Sequence, residues 1–438
     1  MYKESTSLVM SGSSQARAFR TGMVDNLTSR ELVLRIKREV DMNYFDQLHI
    51  SHFARQYNIN PNYLSELFNK ILGTNFVKYL TSIRLEKARQ YLKYTDFSTS
   101  KIAELIGYGD RGYFSRQFTK QCTISPNAYR KEYFSQMKEC NEEYVYVAVF
   151  RNDPLMIEQD MVGLQYFSNE NKVKAKIEAP EEFDIELGVH ILENVINRHP
   201  AGIMVCASDP IYIPYINQAI DNGIPTITVD CDAPTSNRLA TVCSNWSLIG
   251  ETMAAELAAS LKAQGKVAVL NMSASSNMRT AYASFCKTME EFPGINVLGE
   301  YDDSTNAKFA EEITKNLLVT CPELAGIAGF DSKSAIGACE AIRKAGLRGH
   351  VKVVSIDMTS AHLALLRDGY VEMLLGQKRS LFTYYGGKLL YDCNHSKLEI
   401  AKSIDSSRFY NIPQFVDTGF IKITRENYQE IVGYKQKE

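Results

Sequence analysis

Two sets of residues in this chain have the types and spacing for recognition chemistry. The first lies in the stretch 102–130, IAELIGYGDRGYFSRQFTKQCTISPNAYR. Ile102, Ala103, Leu105 and Ile106 give a short helix an apolar face. Gly107 and Gly109 break it and permit a sharp turn. Asp110 is placed to cap a second helix, in which Tyr113, Phe114, Gln117, Phe118 and Gln121 alternate with Arg111, Ser115, Arg116 and Lys120. One face is then aromatic and anchors in a core. The other is basic and small, which suits a DNA major groove. The second set stands where apolar, strand-like runs end: Arg151-Asn152-Asp153, Ser208-Asp209, Asp230, Ser244-Asn245, Ser273, Asp331, Asp357 and Gln377. Ligands of open α/β sheets gather at such ends. Carboxylates accept two donors each and amides both give and take, so the set suits vicinal hydroxyls. Trp246, the only tryptophan, offers either a stacking face or packing at a helix start.

Catalysis finds little support. There is no GxGxxG after a strand, no GxxxxGK[ST], no GxSxG and no metal-spaced His/Cys cluster. The histidines are dispersed, and Asp302-Asp303 reads as a solvated loop. No enzyme, metal or cofactor is expected.

The elements that must position these residues follow from periodicity. Residues 1–28 read as a flexible arm, with Arg17 and Arg20 as its possible DNA contacts. Leu32, Val33, Ile36 and Val40 define an amphipathic helix from Ser29. Residues 48–76 read as a first helix-turn-helix, turning at Asn58-Ile59-Asn60-Pro61, with Pro61 at a helix start and Gly73 at its end. In its second helix Tyr63, Leu64, Leu67, Phe68 and Ile71 point inward. Asn62, Ser65, Glu66 and Asn69 point out. A helix over 76–92 joins the two units, with Arg84, Glu86 and Lys87 on a solvated face. A polar linker covers 136–143. From 144 onward ten strand-like runs alternate with helical patterns: 144–150, 173–179, 202–208, 225–230, 239–244, 266–273, 296–302, 326–330, 351–357 and 371–377. That alternation predicts parallel sheets covered by helices, and ten strands predict two lobes over 144–438.

Charge follows the same division. Residues 1–140 hold 21 Lys+Arg against 13 Asp+Glu, net +8, and the remainder holds 28 against 38, net −10. A basic module joined to an acidic one fits a nucleic-acid-binding domain beside one that must avoid nucleic acid. The nine cysteines show no CxxC spacing and read as reduced thiols. No run of 18 apolar residues and no signal-peptide pattern is present, so a cytoplasmic protein without a membrane partner is expected.

Residues 29–135 resemble the DNA-binding domain of the AraC/XylS family of bacterial transcription regulators. The signature is Gly107 through Tyr113-Phe114-Ser115-Arg116 and Phe118, then Ser125-Pro126 and Tyr129-Arg130, with Thr123 where the family has glycine. The resemblance implies that Asn62, Ser65 and Glu66 of the first unit and Arg111, Gly112, Ser115 and Arg116 of the second face bases. Arg111 or Arg116 suits guanine, Asn62 adenine and Glu66 cytosine N4. Lys70, Lys78, Lys120 and Lys131 suit phosphates. Half-sites would lie ~10 bp apart.

Residues 144 to about 430 resemble the ribose-binding-protein-like, LacI-type sensor core, a two-lobed hinge fold. The carrying residues are the run ending at Asp230, Ser244-Asn245 before Gly250, Arg279 before Phe285, Asp331 before Ile336-Gly337-Ala338, the run ending at Asp357, and Gln377. The resemblance implies that Asp230, Asn245, Arg279, Asp331, Asp357 and Gln377 hydrogen-bond a monosaccharide. Leu155, Met156, Ala207 and Ala281 depart from its pattern. Together these readings predict a multidomain protein: an all-α tandem helix-turn-helix domain, then a two-lobed α/β periplasmic-binding-protein-like domain. The function expected is a homodimeric, DNA-binding transcription regulator that senses a small polar ligand, a sugar foremost, by hinge closure. The alternative is a core that only dimerises or takes a non-sugar metabolite.

Overall fold

The computed structural model describes residues 28–136, 145–149, 154–181, 184–395 and 411–432. The arm with Arg17 and Arg20, the linker over 137–143, Asp153 and the side chain of Leu155 fall outside the described residues.

The first part is helical: α1 (Ser29–Met42), α2 (Ile50–Gln56), α3 (Pro61–Leu72), α4 (Phe76–Tyr94), α5 (Thr99–Leu105), α6 (Arg111–Cys122) and α7 (Pro126–Gln136). The first helix starts on a capping box between Thr28 and Glu31 and buries Leu32, Val33, Ile36 and Val40, as its periodicity predicts. Helices α3 and α6 are built alike, 50 positions apart. Asn60 Oδ1 accepts the N–H groups of Asn62 (2.9 Å) and Tyr63 (3.3 Å), and Asp110 Oδ1 accepts that of Tyr113 (2.6 Å). Leu64, Leu67 and Phe68 anchor one helix, Phe114 and Phe118 the other. Both end in a left-handed residue, Gly73 at φ 68° and Thr123 at φ 67°. The threonine therefore makes the same turn as a glycine, against the steric preference of a β-branched side chain.

Two inward assignments are corrected. Tyr63 is 53 % and Tyr113 48 % exposed, because each is the third residue of its helix and lies ahead of the anchoring stripe. Arg84 is not solvated. It is buried, donates from Nε to Tyr44 O (2.8 Å) and from Nη2 to Asp46 O (2.8 Å), and lies over the Tyr108 ring. A guanidinium can satisfy several carbonyls at once, so this arginine staples the loop after α1 to the second helix-turn-helix. Gly107 must be glycine there. Its φ is 81°, and a Cβ would come within 2.4 Å of Phe45 O.

The second part has two lobes of equal topology. Lobe 1 contains β1 (Val145–Val149), α8 (Pro154–Asn171), β2 (Lys174–Glu178), α9 (Ile185–Asn197), β3 (Gly202–Val205), α10 (Ile213–Asp221), β4 (Thr226–Val229) and β5 (Thr241–Cys243). Lobe 2 contains α11 (Trp246–Ser260), β6 (Gly265–Asn271), α12 (Ser276–Met289), β7 (Ile295–Asp302), α13 (Ala307–Thr320), β8 (Leu324–Gly329), α14 (Ser334–Lys344), β9 (Lys352–Ile356), α15 (Ser360–Arg367) and β10 (Met373–Gln377). The chain then returns to lobe 1 as α16 (Ser380–His395) and β11 (Phe415–Asp417). It finishes on lobe 2 with β12 (Phe420–Thr424) and α17 (Tyr428–Val432). Among the described residues each lobe holds one six-stranded sheet, ordered β11-β5-β4-β3-β1-β2 and β12-β10-β9-β8-β6-β7.

All ten strand runs from 144 to 377 form strands. Two further strands, β11 and β12, are short half-exposed segments with no apolar run, and periodicity misses them. β12 also departs from the parallel expectation by pairing antiparallel with β10. The central strands β3, β4 and β10 are buried along their whole length, under helices such as α8 and α16 in lobe 1 and α11 and α12 in lobe 2. Gly163 of α8 permits the close approach of α16 to α8, since a Cβ there would meet Ser380 O at 1.8 Å.

Candidate functional site

Three crossovers join the lobes: Cys243 to Trp246, Gln377 to Ser380 and Asp417 to Phe420. Two of them are stitched together. Asp417 Oδ1 accepts the N–H groups of Asn245 (3.2 Å) and Gly419 (2.7 Å), and Ser244 Oγ donates to Gly419 O (3.2 Å). The carboxyl ends of both sheets meet at this hinge and bound a cleft.

The equal topology makes Asp230, after β4, and Asp357, after β9, counterparts. Both are buried and both are left-handed, at φ 64° and 72°. Each backbone N–H still reaches the next strand, Asp230 to Val242 O (3.0 Å) and Asp357 to Leu375 O (2.8 Å). Gln377 ends β10, is buried, and its Nε2 has no hydrogen-bond partner among the described residues. Ser208 Oγ, just past β3, is likewise buried without one. Arg279 stands at the mouth, where Ala207, Asp209, Asp232, Thr235 and Ser276 help to line a cleft of about 160 Å³. Its Nη1 donates to Ser273 O (3.1 Å). Across that mouth Ser276 Oγ of lobe 2 donates to Asp232 O of lobe 1.

The other candidates have local duties. Asn245 caps α11, its Oδ1 accepting Leu248 N–H (3.1 Å). Trp246 packs in the lobe 2 core, which favours the packing alternative. Asp331 Oδ1 accepts the N–H groups of Lys333 (2.7 Å) and Ser334 (2.8 Å) at the start of α14. Its neighbour in space is Asp303, which is fully buried and accepts from Ser334 Oγ (2.7 Å). Burial, and then the charge of Asp331, push the Asp303 carboxyl far above the usual carboxylate range. The solvated-loop reading of Asp302-Asp303 therefore holds for Asp302, which accepts from Ser273 and Ser304, and fails for Asp303. Ala281 is buried where α11 crosses α12, its backbone against Gly250, and Met156 and Ala207 are buried too.

Sequence reasoning missed a buried arginine that ties two carboxylates together at the crossovers. Arg379, buried in the second crossover, donates from Nη2 to Asp160 Oδ2 (2.9 Å) and from Nη1 to Asp230 Oδ2 (2.8 Å). Burial opposes its charge, and the two carboxylates more than restore it. The available signal was Asp160, a carboxylate among Met156, Ile157, Met161 and Leu164 on the buried face of α8. Among the described residues no cysteine forms a disulfide. Burial pushes the thiols of Cys243, Cys339 and Cys393 up to about 12. Cys206 and Cys231 are buried beside Asp230, their ligating atoms and its carboxylate all within 4.8 Å of one another.

In the helical part, Asn62, Glu66, Arg111 and Arg116 are exposed on α3 and α6, and Ser65, Gly112 and Ser115 are partly so. Arg116 makes one loose ion pair, 3.8 Å from Asp110, with both side chains about 70 % exposed. Lys70, Lys78, Lys120 and Lys131 are exposed as well. No helix among the described residues is long and apolar enough to cross a membrane.

Residues 144–394 match the family described as periplasmic binding protein domain, and residues 53–132 match a helix-turn-helix domain. The helix-turn-helix part is similar to the HTH-type transcriptional regulator YijO of Escherichia coli (strain K12), at 38 % identity over 111 residues, 25 % of this chain and 39 % of that protein. It is also similar to the lactose operon transcription activator of Staphylococcus xylosus, at 35 % over 100 residues, 23 % of this chain and 36 % of that protein. The chain thus spans less than two fifths of each. A sugar-binding protein of a Bacillus halodurans sugar ABC transporter superposes with a TM-score of 0.60 at 26 % identity, covering 66 % of this chain and 99 % of that one. AraP, an arabinose binding protein from Geobacillus stearothermophilus, gives 0.57 at 26 %, covering 66 % and 98 %. The chain belongs to the periplasmic binding protein domain family and carries that domain behind an AraC-type helix-turn-helix domain.

Proposed function

We propose that this protein is a transcription regulator whose α/β domain senses a small polyhydroxylated ligand of the monosaccharide class. The DNA-reading residues are Asn62, Ser65, Glu66, Arg111, Gly112, Ser115 and Arg116. The effector residues are Asp230, Asp357 and Gln377 at the strand ends, with Arg279 at the mouth and Asp331 just past β8. Asn245, which also caps α11, and Trp246, whose ring also packs in the lobe 2 core, complete the set at the first crossover.

One observation carries the sensing reading. Among the described residues, Ser208 Oγ, Gln377 Nε2 and Arg379 Nε are buried without hydrogen-bond partners, and all three belong to residues at or just past the strand ends that meet at the hinge. Each such atom costs about 1–3 kcal/mol unless something bonds it. Hydroxyl groups accept from donors and donate to carboxylates, so a polyol satisfies this mixed set. The sugar-binding and arabinose-binding proteins with the same fold support the class.

In this reading ligand closes the two lobes about the three crossovers and so biases DNA binding, across a homodimer in the cytoplasm. The bias equals the ligand's differential affinity for the two states, typically about 1–3 kcal/mol. The reading contains no catalytic step. The test is a thermal-shift screen against monosaccharides, sugar alcohols and sugar acids. One compound should give a saturable rise that Gln377→Ala and Asp357→Ala abolish while operator binding persists. A flat panel defeats the sugar reading.

A second reading has Arg379 in its favour. Asp230 is already paired with an internal cation, so the core needs no ligand there and would serve to dimerise. A flat panel together with a stable dimer in sedimentation supports that reading instead.

A further inference from the structure

We propose that Cys206, Asp230 and Cys231 form a binding site for one thiophilic divalent cation of the zinc type at the floor of the cleft. The proposal shares Asp230 with the sugar reading but does not rest on it.

The site follows from how β3 and β4 end. Cys206 is the first residue past β3, and its N–H still bonds Val149 O (2.9 Å). Asp230 and Cys231 are the first two past β4. The left-handed turn at Asp230 lets Cys231 N–H fold back on Val229 O (2.7 Å), while Ala207 N–H holds Cys231 O (3.1 Å). Adjacent parallel strands thus present two thiols and a carboxylate to one point. Their ligating atoms lie within 4.8 Å of one another, and all three residues are buried. In a tetrahedral zinc site with Zn–S of about 2.3 Å, two sulfurs stand about 3.8 Å apart, a separation inside the span of these ligating atoms. The Cys206 thiol already points at Asp230 Oδ2, 3.9 Å away, where a metal would replace its proton.

Donor chemistry selects the ion. Two thiolates and one carboxylate favour zinc-like ions over Mg2+ or Ca2+, which take oxygen donors. Arg379 beside the site is offset by Asp160, so its charge does not stand alone against the metal. A fourth ligand would come from the side of Cys231 that meets lobe 2. There Asn277 Nδ2 lies 3.5 Å and Ser275 Oγ 3.8 Å from its sulfur. An ion at this point therefore sits where the two lobes touch.

The test titrates Cd2+, a spectroscopic probe for zinc, into the reduced full-length protein. The expected result is a thiolate-to-metal ultraviolet band that saturates at one equivalent and persists in excess Mg2+. Cys206→Ser and Cys231→Ser should each lose it, and Cys286→Ser should keep it. Should either serine variant fail to fold, alkylation mapped by mass spectrometry reads the wild-type protein directly, with Cd2+ shielding Cys206 and Cys231 together. Absence of a saturable band, or shielding at other cysteines alone, overturns the proposal. Gln377→Ala should lose any sugar response and keep the Cd2+ band, so failure of one reading is distinguishable from failure of the other.

Discussion

Arg379 Nη1 donates to Asp230 Oδ2 at 2.8 Å across 149 positions of sequence, and its Nη2 reaches Asp160 Oδ2, 219 positions away, at 2.9 Å. One guanidinium in a crossover thus ties the end of β4 to the buried face of α8. Removing it would leave two carboxylates buried together, and breaking a buried pair by deleting one partner costs about 3–5 kcal/mol. Arg379→Met should therefore lower the unfolding free energy of the α/β domain by about that amount in urea titrations. A loss under about 1 kcal/mol, typical of an exposed pair, would mean the cluster is solvated in solution.

The Asp303–Asp331 pair gives a pH prediction. Asp303 has its folded value raised, so its stabilisation is complete below the unfolded value of about 4 and is lost as pH climbs toward the folded value. Over that window the unfolded chain releases a proton that the folded one keeps. Stability should decline between about pH 5 and pH 8 from this group. Asp303→Asn removes the titration and should flatten the decline, raising the melting temperature most at the alkaline end. An unchanged slope would show that the carboxyl ionises freely in the fold.

Thr123 occupies a left-handed position at the end of α6 that Gly73 fills at the end of α3. Thr123→Gly should stabilise the helical part by about 1 kcal/mol, the steric cost of such a residue less the entropy of an added glycine. Thermal denaturation checks it, and destabilisation would locate the benefit in the hydroxyl, which donates to Cys122 O.

Arg116 is free to leave its loose contact with Asp110, since exposed pairs of that kind are worth about 0–1 kcal/mol. Arg116→Ala should weaken binding to the specific operator by about 1–3 kcal/mol and spare a scrambled duplex, read by fluorescence anisotropy at fixed salt. An equal loss on both duplexes would make it a phosphate contact.

Much of this molecule is legible in its sequence where the causes are local. The recognition helices follow from caps at Asn60 and Asp110, the stripes Leu64-Leu67-Phe68 and Phe114-Phe118, and the turns after them, all within a dozen residues. Runs such as 202–207 and 267–270 follow from unbroken apolar stretches, because a strand buried on both sides needs apolar residues at every position. Strand ends then point to Asp230, Asp357 and Gln377. The tertiary structure decided what those residues do. Asn245 gained a helix cap and Trp246 a place in the core, and Asp303 turned from a solvated carboxylate into a buried partner of Asp331. Arg84 and Arg379, both charged and both assigned to no core, became the staples of their parts. No window of sequence carries these outcomes. Whether a polar side chain is solvated or buried depends on which distant carbonyls and carboxylates the fold brings within hydrogen-bonding reach, and here those partners come from about 40 to more than 200 positions away.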